Sequence, residues 1–107
     1  MKKYKVLVAL VLSLAMLLML TGCTTSMTYQ RARNLHATGE YAEALKIYQQ
    51  LGDFADCKEM VGVCYYELGR EAMLEEKWQE AIDYFEKSDY HGAPARIEEC
   101  KNKLAQQ

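Results

Sequence analysis

Residues 39–64 read GEYAEALKIYQQLGDFADCKEMVGVC, and residues 76–100 read EKWQEAIDYFEKSDYHGAPARIEEC. These two stretches decide the fold, because the second repeats the first. Tyr41, Glu43, Ala44, Leu45, Tyr48 and Leu51 align with Trp78, Glu80, Ala81, Ile82, Phe85 and Ser88, each 37 positions on. One residue fewer in the turn shortens the offset to 36. Phe54, Cys57, Val61, Cys64 and Leu68 then align with Tyr90, Ala93, Ile97, Cys100 and Leu104. Self-similarity at this period marks stacked supersecondary units, none of which buries its apolar face alone.

The spacing inside each unit is helical. Tyr41, Ala44, Leu45, Tyr48 and Leu51 fall on one face at i, i+3, i+4, i+7 and i+10. Trp78, Ala81, Ile82 and Phe85 repeat that face. Phe54, Cys57, Val61, Cys64, Leu68 and Ala72 mark a longer amphipathic helix, and Ala93, Ile97, Cys100 and Leu104 its counterpart. Gly39 and Gly52-Asp53 are turn signals. Pro94 suits the first turn of a last helix, where no backbone donor is missed. No alternating strand pattern is present. The expectation is an all-α short stack of antiparallel helix pairs, about five helices, near 27–38, 40–51, 54–75, 78–88 and 92–105.

Tyr65-x2-Leu68-Gly69-x2-Ala72, then Ala81-x3-Phe85, then Pro94, resembles the tetratricopeptide repeat pattern. In that resemblance Gly69 and Ala81 are the small residues that let two antiparallel helices approach. Tyr65, Leu68 and Phe85 fill the space around them. The first unit carries Arg31 and Ala32 where the pattern has Leu and Gly. The 36–37 residue period is longer than the usual one, and looks like a tetratricopeptide-like variant covering about residues 28–105. The resemblance implies a scaffold whose concave side holds a peptide or a partner domain.

The N-terminus is different in kind. Lys2, Lys3 and Lys5 give a positive start, and Val6 to Leu20 is apolar apart from Ser13, a run of 15 residues. A spanning helix needs roughly 20, whereas the core of a secretory signal is shorter. The run ends in Leu20-Thr21-Gly22-Cys23, which resembles the lipobox of bacterial lipoproteins. The resemblance implies cleavage between Gly22 and Cys23, with a diacylglycerol carried by the thiol of Cys23. Residues 1–22 are then the signal peptide, 23–27 a linker, and 28–107 the helical repeat domain. Acyl chains on Cys23 imply a lipid-anchored protein on the extracytoplasmic face of the cell membrane, since two or three chains hold firmly where one does not.

From residue 23 onward there are 10 Lys/Arg against 15 Asp/Glu, a net charge of −5. Such a balance argues against nucleic acid, whose phosphates require a basic face. It also argues against holding an anionic membrane by charge.

Cys57 and Cys64 lie seven apart on one helix face, about 10 Å of rise, too far to bond to each other. Cys64 and Cys100 hold equivalent repeat positions. All three read as buried small hydrophobes, with a bridge from Cys100 to Cys64 or Cys57 as the alternative outside the cell. No C-x2-C pair points to a metal. His36 and His91 fall near helix ends or turns and read as surface or capping residues. No nucleophile comes with a partner base, so neither catalysis nor a cofactor is expected. Glu67, Glu71 and Glu75, with Glu76 and Glu80 beyond, form an acidic helix face; the alternative function is a small ligand or cation bound there. Tyr66 and Tyr84 lie off the apolar stripes and are the candidate partner-binding surface, since aromatic side chains dominate contact energy. The leading expectation is a membrane-anchored, non-catalytic interaction module with a protein or peptide partner.

Overall fold

The computed structural model describes residues 2–107, and the side chains of all of these except 2 and 20–22. Five helices follow one another: α1 Lys2–Ala37, α2 Tyr41–Leu51, α3 Cys57–Leu74, α4 Trp78–Glu86 and α5 Ala93–Ala105. Among the described residues there is no strand. Each helix packs on the next, α1 on α2, α2 on α3, α3 on α4 and α4 on α5. The result is the short all-α stack that the apolar spacing requires.

Two apolar clusters hold it together. The first gathers Ala32, Ala44, Leu45, Tyr48, Cys57 and Cys64 from α1, α2 and α3. The second gathers Ala72, Ala81, Ile82, Phe85, Ala93 and Cys100 from α3, α4 and α5. Positions matched by the sequence offset take matching places: Ala44 and Ala81 are both fully buried, as are Tyr48 and Phe85, and Cys64 and Cys100. Burying one such large side chain contributes roughly 1.5–3 kcal/mol. Close approach depends on Gly69. A Cβ there would stand 2.6 Å from Phe85 Cε1, inside a ring that is itself buried.

The turns also correspond. Gly39 closes α1 at φ +84° and Glu76 closes α3 at φ +59°. In both, the next residue's amide reaches back five positions, from Glu40 to the Leu35 carbonyl (2.8 Å) and from Lys77 to the Ala72 carbonyl (2.9 Å). This is the Schellman geometry, which favours a left-handed residue at the first site past the helix. Ser88 ends the next element by donating its hydroxyl to the Gly62 carbonyl at 2.6 Å. Pro94 sits in the first turn of α5.

Several boundaries differ from the sequence reading. The first helix does not begin near 27 but runs unbroken from Lys2, so the expected linker 23–27 is helical. Thr28 donates its Oγ1–H to the Thr24 carbonyl at 2.8 Å. Hydroxyl residues favour caps and turns, and inside a helix they point to solvent or bond back to the carbonyl four residues earlier, as Thr28 does. Helix α3 starts at Cys57, not Phe54, because Gly52 and Ala55 both turn left-handed at φ +58° and +49°. Phe54 is left outside it with its ring against Tyr29, centroids 5.5 Å apart. Helix α4 stops at Glu86, two residues short of expectation, and α5 begins one residue late.

The segment Lys3–Ala37 is the one described helix long and apolar enough to cross a membrane, with mean hydropathy 2.6 over its most apolar stretch and none of that stretch buried. Secretory signals share that property. Leu20, Thr21 and Gly22 lie in this helix, but their side chains are outside the described ones; Cys23 is exposed.

Candidate functional site

The sequence placed Tyr66 and Tyr84 on a possible contact surface. The structure makes both half-buried partners of the second cluster. Tyr66 packs its ring on Phe85 and Tyr90, centroids 5.5 and 4.6 Å away. Its hydroxyl accepts from Arg96 Nε at 3.3 Å, which favours the charged guanidinium and pushes its pKa up. Tyr84 sits elsewhere, beside Glu71, Glu75 and Glu80 in a shallow depression. The fold does not bring the two tyrosines into one site.

A different constellation forms where α1 meets the start of α3. A cavity of about 240 Å³ is lined by Tyr29, Arg33, His36, Ala37, Tyr48, Asp56 and Met60. Apolar spacing put Tyr48 in the core, and it is fully buried. Its hydroxyl, however, has no hydrogen-bond partner in the protein. Burial, more than the nearby Cys64, pushes this phenol up to about 12, so it keeps its proton and can donate. Tyr29 donates its hydroxyl to the Asp56 carboxylate, a bond that raises the phenol's pKa. Arg33 lies over the Tyr29 ring, 6.0 Å from its centroid.

His36 is a correction to the sequence reading. It is not a solvent-facing cap but half-buried, its Nδ1 3.6 Å from Cys64 Sγ and its ring edge-on to Tyr41 at 5.2 Å. Helix stacking joins these groups across 28 positions of sequence. Burial first, and the Glu67 charge second, push the Cys64 thiol up to about 11. Burial keeps this thiol protonated at neutral pH, as suits a packing group. Cys57 and Cys100 are likewise buried and raised by burial. All four cysteines are unbridged.

The groove between α3 and α5 holds a second, smaller pocket of about 130 Å³, lined by Arg70, Met73, Leu74 and Arg96. The two pockets are related by the repeat offset. Arg33 and Ala37 line the first, and 37 positions on Arg70 and Leu74 line the second; past the turn Met60 lines the first, and 36 positions on Arg96 lines the second. A third cleft, of about 340 Å³, lies by the α4–α5 turn and is lined by Glu59, Val63, Asp89, Tyr90 and His91.

The acidic helix face is compensated in part. Glu67 pairs with Arg70 at 3.3 Å and Glu75 with Lys77 at 2.8 Å. Among the described residues no three His, Cys, Asp or Glu side chains are grouped to hold a metal ion. The sequence missed the α1–α3 pocket because its members come from three helices. Its one signal was Tyr48 itself, a phenol at a core position where the second unit has Phe85. Comparison with protein-family models, curated proteins and solved structures finds no match to this chain.

Proposed function

We propose that this chain is a surface lipoprotein whose residues 28–107 form a tetratricopeptide-like interaction module without catalysis. In this reading, cleavage follows Gly22, and acyl chains on Cys23 hold the module at the extracytoplasmic face of the cell membrane. The observation that carries the interaction role is the recurrence of a pocket at each inter-unit groove, α1 with α3 and then α3 with α5. Both are smaller than the roughly 300–1,000 Å³ of ordinary small-molecule sites. They suit individual side chains of a chain laid across the stack. Exposed Cys23 at the end of the apolar run supports the anchor.

Crosslinking on intact cells followed by capture of the full chain tests the interaction role. Recovery of a defined envelope protein in stoichiometric amount is the expected result; capture of the chain alone would refute it. The anchor is tested separately by mass spectrometry of the N-terminal peptide. An acylated Cys23 is expected, and a peptide running intact through Gly22 and Cys23 would sink that part.

A further inference from the structure

The third cleft differs in charge from the two inter-unit pockets. Its walls carry two carboxylates, Glu59 and Asp89, with Val63, Tyr90 and His91, and no lysine or arginine. At about 340 Å³ it falls within the roughly 300–1,000 Å³ of small-molecule sites. Among the described residues neither carboxylate is in an ion pair. The cations nearest in sequence are engaged elsewhere. Lys58 is on Asp53 at 2.6 Å, and Lys87 is over the Tyr65 ring at 5.8 Å. Arg96 is bonded to Glu99 at 3.1 Å and to the Tyr66 hydroxyl at 3.3 Å.

Comparison of the two units shows what the cleft lacks. In the first unit's turn, Asp53 has Lys58 as its partner. Thirty-six positions on, Asp89 keeps the carboxylate, Pro94 stands in place of the lysine, and Tyr90 in place of Phe54. The carboxylate is also given its position by α3. Gly62 lies inside that helix, where glycine costs about 1 kcal/mol against alanine. A Cβ there would collide with Asp89 Oδ1. Ser88 pins the same turn, donating to the Gly62 carbonyl at 2.6 Å and accepting from the Tyr90 amide at 3.2 Å. No side chain caps α5, so Asp89 is not spent there. Glu59 falls in the first turn of α3, whose positive end favours its charge; the charge of Asp89 has only the cleft to face. The Tyr90 ring is braced by Tyr66 and His91, centroids 4.6 and 4.3 Å away. An aromatic face attracts organic cations through its quadrupole, and the carboxylates add a charge of the matching sign.

We propose that this cleft binds a small alkylammonium ion, its nitrogen facing Asp89 and Glu59 in the role that Lys58 fills for Asp53, and its carbon chain lying on Tyr90 and Val63. The site adds a small-molecule ligand to the interaction reading above and does not depend on it.

The test titrates the full chain, in a non-ionic detergent, with three four-carbon probes followed by calorimetry: putrescine, 1,4-butanediol and succinate. Saturable binding of putrescine is expected, with the diol at least about tenfold weaker and succinate not bound. Added salt should weaken it. Asp89→Asn and Glu59→Gln should each weaken putrescine about three- to fivefold at unchanged melting temperature, and Tyr90→Leu about two- to fivefold. Pro94→Lys gives the second unit the first unit's internal partner and should abolish binding, whereas Pro94→Ala should keep it. Equal binding of putrescine and the diol, or unchanged affinity in Asp89→Asn or Pro94→Lys, overturns the proposal. Displacement of putrescine by an equal concentration of magnesium chloride also overturns it, because a site for charge alone makes no use of the aromatic wall. Tighter binding of an acetyl-Gly-Lys-Gly amide than of putrescine would make the occupant a protein side chain, again against it. No binding of putrescine overturns it outright and leaves the interaction reading to the crosslinking experiment.

Discussion

The two halves of the stack are built on one plan and differ at its centre. In the second half Phe85 packs over Gly69, and its ring has no polar atom to place. In the first half Tyr48 occupies the matching position, and Ala32 stands 37 residues before Gly69. The same buried ring thus carries a hydroxyl that the local packing leaves without a partner. One half is packed for stability. The other keeps an unmatched donor beside a cavity, as binding sites do and well-packed cores do not.

Substitutions that exchange features between the halves test this contrast, and the largest effect belongs to the all-apolar half. Phe85→Ala should lower unfolding stability by about 3–5 kcal/mol in urea denaturation, because the ring is 1% exposed and fills the space over Gly69. A loss below about 1 kcal/mol would show that the second cluster does not depend on it. Gly69→Ala puts the first half's residue into the second and should cost about 1–3 kcal/mol, since the buried ring cannot retreat. Unchanged stability would mean that α3 and α4 can separate freely.

Glu76→Gly gives the second half the turn residue that Gly39 supplies to the first. Relief of a left-handed side chain should raise stability by up to about 1 kcal/mol in the same measurement. Tyr48→Phe makes the first core like the second. Removal of an unpartnered hydroxyl should leave stability unchanged or raise it by up to about 1 kcal/mol; a loss above that would reveal a partner for the hydroxyl.

A further test is in alkali. Cys64 is raised from 9.0 to about 11 and Tyr48 from 10.0 to about 12, so the folded chain holds protons that the unfolded chain releases first. Stability is therefore full below pH 9 and falls as pH rises from 9 toward 12. Cys64→Ala should flatten the part of that decline between pH 9 and 11. An undiminished slope would remove Cys64 as its source.

Much of this fold is legible in the sequence because it is periodic. Ala44, Leu45 and Tyr48 recur as Ala81, Ile82 and Phe85, and all six are buried. What escaped depends on exceptions to residue preference. Ala55 takes a left-handed conformation that alanine ordinarily avoids, so α3 starts three residues later than its apolar stripe suggests. Threonines 24 and 25 fall in the expected linker, yet the helix runs through them. The site was less legible than the fold. His36 meets Cys64 and Tyr29 meets Asp56 only after α1 is laid on α3. Composition marks neither pair. Tyr66 was singled out for lying off the apolar stripe, but that off-stripe face is the one α5 covers, with Gly92 against its ring.

The unbroken helix from Cys23 to Ala37 has a consequence for distance. At about 1.5 Å per residue, Arg33 stands about 15 Å along the helix from Cys23. With the acyl chains proposed for Cys23, that rod sets how far the pocket can rise from the lipid. A flexible tether would let the pocket search a hemisphere. In that proposal a helix would confine it to a thin shell close to the headgroups.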